Sequence, residues 1–435
     1  VIPPKAIINL AKKCFLDYIG VTYAGSYYVG QQIEEYLARF SNEFGESSVL
    51  GVNRKTTLLN SVYLNGISSH VMELDDGHRF AMIHPGAPIF SALLPFLENE
   101  TVDYEKFLIS SIVGYDAAIQ LARLIQPSHN IRGFHASGTC GTIGAAVAAS
   151  VALGQSEENM KNTISAAIGS ASGLLKIIED DSNMKPLNIG KAALNGVQAA
   201  YSASSGFIGP DDIIGGHRGF IRVVSDTPEI IEDVFANEDD YQISGIYQKV
   251  YSACRHAHSP IEAAVKIRNM EGFSINKIEN VHIETHKYAI CGHSHNTVNS
   301  LESARMSIPY AVAVALLYGS PGITEYSKYI DNREVHKIMS LISVNENEYL
   351  TSLVPSMRSA IVTVNCYNNK SFSSRVDFPK GEPENPLSDA DIKYKFNSLM
   401  RYAGTSADIA NIIAKNIMHP SVSGHELVRM ITRKQ

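Results

Sequence analysis

The chain has no tryptophan, few cysteines and fewer charged residues than most soluble domains. Charged residues make up 19% of the sequence, below the roughly 25% that is typical. Ala and Gly are abundant in several segments with helical spacing. This composition indicates extensive packing of buried helices and suits a subunit interface.

The five cysteines are scattered and show no CxxC spacing. They are Cys14, Cys140, Cys254, Cys291 and Cys366. An odd number of distant cysteines favours reduced thiols over a disulfide framework. Residues 1–13 combine Pro3 and Pro4 with an amphipathic pattern, unlike the charged start and apolar core of a signal peptide. We therefore expect a cytoplasmic protein.

Long hydrophobic runs and clusters of basic residues are also missing. The longest apolar stretch, residues 141–154, is mostly Ala and Gly and is shorter than the roughly 18 residues of a membrane-spanning helix. The net charge is −7, with 37 Lys and Arg residues scattered among 44 Asp and Glu residues. We expect no transmembrane helix, no membrane partner and no nucleic-acid partner.

Apolar residues recur at helical spacing through the first half of the chain. The clearest patterns cover residues 7–19 and 58–74, the first after two prolines that suit a helix start. Further helical segments are predicted at 86–98, 105–124, 139–153, 157–170 and 190–205. The first half is therefore predicted to be almost wholly helical.

The pattern changes after residue 245. Residues 281–286 alternate between apolar and polar side chains, a period of two that predicts a strand. Residues 362–366 alternate again, and a turn at Asn368 and Asn369 followed by residues 372–378 predicts a β-hairpin. Ser388 and Thr405 are predicted to cap two closing helices.

A chain of 435 residues exceeds what one hydrophobic core usually organises. We predict an α+β fold of two domains. The larger is an all-helical domain built from both chain ends, residues 1–244 plus 381–435. The smaller is an inserted α+β lid domain, residues 245–380.

Two adjacent carboxylates, Asp75 and Asp76, follow a predicted helix, where the negative end of the helix dipole is unfavourable for them. A like charge and burial would raise a carboxyl pKa towards the range of a general acid or base. His78 follows, and His84 lies before Pro85 at a predicted helix start, where a neutral imidazole is favoured. The alternative is a solvated loop whose aspartates cap the next turn.

Glycines at 138, 141 and 144 lie where a loop is predicted to enter an Ala-rich helix. Backbone N–H groups there could bind a carboxylate or phosphate, with His135 and Thr139 close by; tight helix packing through small residues is the alternative. Lys185 precedes a proline and a second Ala-rich helix. It could neutralise a substrate carboxylate or donate a proton, or simply be solvated.

The segment CRHAH places Arg255, which suits bidentate carboxylate binding, beside His256. Two His-x-His pairs, at 256/258 and 293/295, raise an alternative function of another class, a metal-dependent hydrolase. Neither an HExxH motif nor Cys/His finger spacing is present, so we expect no metal.

Several segments taken together resemble the MmgE/PrpD family. They follow the family order between residues 60 and 390 and read HVMELDDGHRFAMIHPGAP, GFHASGTCGTIGAA, KPLNIGKAALNGVQAA, SGFIGPDDIIGG, CRHAHSPIEAA, SIPYAVAVAL and FPKGEPENPLS. Members include 2-methylcitrate dehydratase, cis-aconitate decarboxylase and iminodisuccinate epimerase. The resemblance implies a helical domain with a smaller α+β lid, a homodimer, and catalysis without a metal or organic cofactor.

The resemblance also implies a set of site residues. For catalysis these are Asp75, Asp76, His84, Lys185 and His256, and for substrate binding His78, His135, Thr139, Arg255 and Tyr310. Reactions of the family remove a group or proton next to a carboxylate, which requires cations for the carboxylates and a base for the carbon acid. We expect a histidine, His84 or His256, to be the base, and the groups to meet in one pocket at the domain junction.

In the same scheme Asp75 or Asp76 orients the histidine or acts as acid, while Lys185 and Arg255 hold carboxylates. The chain departs from both the decarboxylase and the dehydratase branches at Asn188, where they commonly carry a histidine, and from the decarboxylase branch at Cys254, where that branch carries a histidine. The run between Asp76 and His84 also differs from the family. The difference at Cys254 makes decarboxylation the least expected activity of the family. We expect dehydration of a small di- or tricarboxylate, as in 2-methylcitrate dehydratase, ahead of epimerisation of the iminodisuccinate type.

Overall fold

The computed structural model describes residues 2–178, 182–226, 241–367 and 369–432. The chain forms two compact units. The first, here called the helical unit, comprises the described residues of Val1–Ile178, Met184–Tyr247 and Ser388–Gln435. The second, here called the sheet unit, comprises the described residues of Glu179–Asn183 and Gln248–Leu387.

The helices and strands are numbered in chain order over the described residues. The helices are α1 Lys5–Tyr28, α2 Gly30–Arg39, α3 Leu58–His70, α4 Gly86–Glu98, α5 Tyr104–Ile125, α6 Ser128–Ile131, α7 Ala136–Ala152, α8 Glu157–Ser170, α9 Lys185–Ser204, α10 Phe220–Val224, α11 His258–Arg268, α12 Lys287–Ile290, α13 Leu301–Met306, α14 Ile308–Tyr318, α15 Ile323–Lys328, α16 Arg333–Met339, α17 Glu348–Ser352, α18 Asp389–Tyr402, α19 Ala407–Met418 and α20 Gly424–Thr432. The strands are β1 Ser47–Val49, β2 Arg54–Thr56, β3 Gly77–His78, β4 Ile246–Tyr247, β5 Ile278–Thr285, β6 Ile342–Glu346, β7 Ala360–Cys366 and β8 Ser371–Val376.

The core of the helical unit is built around α7, which packs against α5 and α9. Gly144 lies inside α7, where a Cβ would come within 2.7 Å of Ala118 Cβ and 2.8 Å of the Gly114 carbonyl oxygen. A side chain at this position would force the two helices apart. Gly144 therefore serves helix packing. The anion-binding interpretation of the glycine N–H groups is wrong, because α7 begins at Ala136 and the Gly138 N–H donates to the His135 carbonyl oxygen at 2.9 Å.

A second close crossing brings α3 and α9 together. A Cβ on Gly66 would lie 2.8 Å from Gly190 Cα, so the two backbones approach as only glycines allow. Since α3 ends at His70 and α9 starts at Lys185, this crossing brings the end of α3 and the start of α9, with these two residues, into one region.

The helical unit also contains two short antiparallel ladders that the sequence analysis did not predict. β1 pairs with β2, and β3 pairs with β4 through Gly77↔Tyr247 and His78↔Ile246. Strands of two or three residues carry too little alternation to be read from a sequence. The β3–β4 ladder ties the loop after α3 to residues 246–247.

Helix α5 is long and apolar enough to cross a membrane by length and composition, which the search for apolar runs overlooked. Most of its apolar stretch is buried inside the protein. Its N-cap Asp103 accepts from the Lys106 N–H. α5 therefore has the burial and capping of a core helix.

In the sheet unit, the described strands form one mixed sheet in the order β6-β5-β7-β8. β5 runs parallel to β6 and antiparallel to β7, and β7 and β8 form the predicted hairpin, which is confirmed. Asn368 of the predicted turn lies outside the described residues, and Asn369 has a φ of 58°. On β7 every second side chain is buried, which produced the alternation in the sequence.

The predicted fold class, a large helical part with a smaller α+β part, is confirmed. The closing helices are also confirmed: Ser388 caps α18, but α19 is capped by Ser406 rather than by Thr405. α9 begins at Lys185 rather than near residue 190, because Pro186 suits the first helical turn. We propose that the helical unit and the sheet unit correspond to the helical domain and the lid domain predicted from the sequence, whose boundaries were placed near residues 245 and 380.

Candidate active site

The loop between α3 and α4 carries most of the chemistry. It begins after His70 and contains Glu73, Asp75 and Asp76, each at most 5% exposed. Glu73 has a φ of 52°, a left-handed conformation that costs free energy in a residue other than glycine. Three buried carboxylates in four residues, one of them on a strained backbone, indicate a functional loop.

The side chain of Asp76 reaches the start of α4. Its Oδ1 accepts from the Gly86 N–H at 3.1 Å, and its Oδ2 accepts from the Tyr115 hydroxyl. The prediction that Asp76 lies at the unfavourable negative end of a helix is therefore wrong. Its carboxylate faces the positive end of α4, which favours a negative charge. The alternative, a solvated loop whose aspartates cap the next turn, is wrong as well, because both aspartates are buried and Asp76 contacts Gly86, ten residues later.

Burial raises the pKa of Asp76 to about 7. The charges of Asp75 and Asp17 act in the same direction, while the hydrogen bonds from Tyr115 and Gly86 lower it. Burial also raises the pKa of Asp17, against the opposite effect of Lys395, whose Nζ lies 2.6 Å from Asp17 Oδ1. Asp76 can therefore exchange a proton near neutral pH.

His70 and His84 flank Asp75. His70 Nδ1 lies 2.7 Å from Asp75 Oδ2, and His84 Nδ1 lies 3.6 Å from the same oxygen. His84 Nδ1 is also 2.6 Å from the Asp76 carbonyl oxygen, which can only accept, so Nδ1 carries the proton and donates it. In neutral His84 the basic nitrogen is then Nε2, which can take a proton.

Lys185 reaches this loop from the first position of α9 and pairs with Glu73. The Lys185 side chain is 15% exposed and that of Glu73 is 7% exposed. Glu73 Oε1 also lies 3.6 Å from His70 Nε2. The ammonium group is thus held beside the His70–Asp75–His84 cluster rather than in solvent.

His135, the N-cap residue of α7, lies on another side of His70, with ring centroids 6.1 Å apart. Burial, and then the charge of Lys185, hold the pKa of His135 well below its usual value. Asn188 Nδ2 donates to His135 Nδ1 at 3.2 Å. Asn188, where the chain departs from the family, therefore directly contacts a predicted site residue.

Three predicted substrate-binding residues make contacts with other protein groups. His78 Nδ1 accepts from the Ala81 N–H at 3.1 Å within the turn after β3. Thr139 is buried and its Oγ1 lies 3.0 Å from His129 Nε2. In the sheet unit, Tyr310 is fully buried and donates to the Tyr326 carbonyl oxygen at 2.8 Å. These contacts lie within the protein, and a role of the three residues in substrate binding stays a prediction.

Arg255 and His256 belong to the sheet unit. The Arg255 guanidinium pairs with buried Glu382 at 2.8 and 3.1 Å, and its Nη1 lies 2.9 Å from His258 Nδ1. Both bonds to Glu382 go to one carboxylate oxygen, Oε1, and the role of Arg255 as a substrate clamp stays a prediction. His256 lies among other histidines, and burial holds its pKa well below the usual value. A pocket shared by both units stays a prediction.

Two groups of described residues bring three potential metal-ligand atoms within 4.8 Å of one another. The first is His70, Asp75 and His84 in the helical unit. The Nδ1 atoms of both histidines face hydrogen-bond acceptors there, so they are donors rather than metal ligands. The second group is Cys254, His256 and His293 in the sheet unit.

Sequence reasoning missed His70, Glu73 and Tyr115. His70 and Glu73 lie in the segment that drew attention to the aspartates, and the spacing of His70 five residues before Asp75 was a usable signal. Tyr115 lies in the middle of α5, 39 residues from Asp76. A tyrosine in the middle of a long apolar helix gives no local indication of a distant partner.

Comparison with known proteins identifies the family. The family model of the MmgE/PrpD N-terminal domain matches residues 2–232, and the family model of the MmgE/PrpD C-terminal domain matches residues 251–418. The cis-aconitate decarboxylase of Aspergillus terreus is 22% identical over 437 residues, covering 94% of this chain and 87% of the relative. That of Homo sapiens is 23% identical over 412 residues, covering 90% and 83%.

A dehydratase is also among the relatives. An alkylcitrate dehydratase of Talaromyces stipitatus is 29% identical over 189 residues, which is 40% of each chain. Decarboxylases and dehydratases are lyases, so the hydrolase interpretation of the His-x-His pairs is set aside. Because the two family models match most of the sequence, from the first helix to α19, the chain belongs to the MmgE/PrpD family and is a lyase or isomerase.

Proposed function

We propose that the protein is a lyase that dehydrates a small 2-hydroxy di- or tricarboxylate, as 2-methylcitrate dehydratase does. The observation that supports this most is Asp76, a buried carboxyl group with a pKa of about 7, in the same loop as His84. Dehydration requires an acid for the departing hydroxide and a base for the proton next to the carboxylate. This pair supplies both.

His84 is the proposed base. Its Nδ1 donates to the Asp76 carbonyl oxygen, so Nε2 removes the proton on the carbon next to the substrate carboxylate. The Asp75 carboxylate, 3.6 Å from His84 Nδ1, stabilises the imidazolium that results. His256 is the alternative base, and its own Ala variant separates the two.

Asp76 is the proposed acid. In its protonated form it donates to the hydroxyl group of the substrate as the C–O bond breaks, and water leaves. The electrons of the broken C–H bond form the new C=C bond. The Tyr115 hydroxyl and the Gly86 N–H then stabilise the Asp76 carboxylate, since both donate hydrogen bonds to its charged form.

Lys185 is the proposed cation for a substrate carboxylate. It is paired with Glu73, and a second carboxylate can share the ammonium group because it has three N–H donors. Neutral His135, hydrogen-bonded to Asn188, would add an uncharged donor. We further propose that the protein acts as a homodimer in the cytoplasm.

Incubation with methylcitrate, cis-aconitate and iminodisuccinate in deuterated water tests this function. We expect methylcitrate to lose water, seen as alkene signals in NMR spectra, and deuterium to enter next to the carboxylate in the reverse direction. Deuterium uptake without net conversion would establish epimerisation instead, and carbon dioxide release would establish decarboxylation. Full turnover by His84→Ala or Lys185→Ala would reject the assigned roles.

A further inference from the structure

We propose that Cys254, His256 and His293 form a binding site for a divalent transition-metal ion such as Zn²⁺. The site lies within the sheet unit. The proposal does not rest on the dehydratase function, whose proposed base is His84; the two share only His256, the alternative base. Cys254 and His256 are partly exposed, and His293 is 7% exposed. An ion from solution can therefore reach the cluster, while its far side is buried.

The spacing of the ligand atoms suits zinc. Cys254 Sγ lies 3.6 Å from His293 Nε2. In a tetrahedral site with Zn–S of about 2.3 Å and Zn–N of about 2.0 to 2.1 Å, sulfur and nitrogen are about 3.5 Å apart. The potential ligand atoms of all three residues lie within 4.8 Å of one another. Small side-chain rotations would bring them onto one ion.

The orientation of His293 is already that of a metal ligand. Its Nδ1 lies 3.0 Å from the Met306 carbonyl oxygen, so Nδ1 carries the proton and Nε2 directs its lone pair at Cys254. Metal-bound histidines commonly donate their second N–H to a backbone carbonyl in this way, which fixes the tautomer and the ring.

A third histidine, His286, borders the cluster. The His286 and His256 rings have centroids 5.1 Å apart, and the His286 side chain is 1% exposed. Among the described residues, neither ring nitrogen of His286 has a hydrogen-bond partner, and neither does His256 Nδ1. Buried polar atoms without partners are costly. A bound ion would satisfy His256 directly and offers His286 a place as the fourth ligand.

The two His-x-His pairs of the sequence contribute one histidine each. His258 is occupied by Arg255 and the Ala253 carbonyl oxygen, and His295 Nε2 lies 3.1 Å from Ser303 Oγ. Neither pair therefore chelates an ion by itself. The fold instead brings together residues 254, 256 and 293, which no short motif would reveal.

Charge sets the expected strength of binding. The Cys254 thiol loses its proton when the metal–sulfur bond forms, so one negative charge meets a dication. The positive charges of Arg358 and Lys249 act on His256 and oppose the ion. We therefore expect binding that a chelator reverses, weaker than at a structural site with several thiolates.

Titration of the full chain with Co²⁺ tests the proposal, after removal of any affinity tag and treatment with a chelator. We expect one ion per chain, a thiolate-to-cobalt charge-transfer band, and loss of the band when Zn²⁺ is added. Cys254→Ser should abolish the band, and His293→Ala should weaken binding at least tenfold. The control is Cys291→Ser, an exposed cysteine of the same unit, which should bind as the unaltered chain does.

Circular dichroism establishes that each variant is folded, and a Zn²⁺-dependent rise in Tm provides a second measurement. The rise is expected in the unaltered chain and in Cys291→Ser only. A charge-transfer band that persists in Cys254→Ser, or binding well below one ion per chain, would overturn the proposal. Because none of these readouts uses turnover, failure of the metal site leaves the test of dehydration unaffected.

Discussion

Replacing Tyr115 by Phe removes one oxygen atom that donates to Asp76 Oδ2. This hydrogen bond favours the charged carboxylate and lowers the pKa of Asp76. A hydrogen bond to a charged group contributes about 1.5 to 3 kcal/mol, and one pKa unit corresponds to about 1.4 kcal/mol. The pKa of Asp76 should therefore rise by about one to two units in Tyr115→Phe.

The pH profile of kcat/KM reports this change, since it reflects the ionisations of the free enzyme. If Asp76 is the acid, it must be protonated, and activity falls as the pH rises through its pKa. The alkaline limb of the profile should then move to higher pH by about one to two units in Tyr115→Phe. Tyr115 is a positioning residue in this scheme, because it acts on Asp76 and not on the substrate.

Tyr104→Phe is the matched control. Tyr104 is also buried on α5, but its hydroxyl donates to the Ile417 carbonyl oxygen at 2.9 Å, so its loss should lower stability without moving the limb. An unmoved alkaline limb in Tyr115→Phe would refute the reasoning. A shift of the acid limb alone would show that Asp76 works as a base.

Three further predictions concern the same loop. A Cβ on Gly86 would lie 2.6 Å from Asp76 Oδ2 and against the Tyr115 hydroxyl. Gly86→Ala should therefore lower the free energy of unfolding in urea by about 1 to 3 kcal/mol and remove most of the activity. Gly30→Ala, in open space, should change neither. Lys185→Ala should lower kcat/KM about a hundredfold or more, and Lys191→Ala, exposed on the same helix, should leave it unchanged; equal kinetics would remove Lys185 from the site. Because the pKa of Asp76 is raised to about 7, its contribution to the free energy of unfolding is complete at low pH and is lost between about pH 4 and pH 7, by up to about 4 kcal/mol. Asp76→Asn should lack this dependence, and parallel stability profiles for the two proteins would contradict it.

Much of the fold was predictable because the helices and strands bury regular faces. The alternation on β7 and the apolar spacing of α1 each reflect a continuous interface. The short ladders escaped prediction since pairing such as Gly77↔Tyr247 depends on residues 170 positions apart. α5 was predicted as a helix. That it is long and apolar enough to span a membrane was not predicted, because polar residues interrupt its apolar ones.

The candidate site was predictable where its residues are close in sequence. Asp75, Asp76 and His84 come from one loop, and their proximity was evident. The helix dipole argument failed because it assumed that α3 continues to Asp75, whereas the chain leaves the helix at His70 and turns through Glu73. Contacts such as Lys185 with Glu73 required the α3–α9 crossing, which rests on backbone approach and has no pattern in polarity.

Because of the β3–β4 ladder, the loop after α3 gains its supports only late in the synthesis of the chain. Asp75 and Asp76 leave the ribosome well before residues 246–247, which pair with Gly77 and His78. Lys395, later still, donates to the Leu74 carbonyl oxygen at 2.8 Å. The loop of Asp75 and Asp76 thus remains without two of its supports until synthesis is nearly complete. A fragment that ends at residue 232 would contain both aspartates yet lack the strand and the lysine that secure their loop.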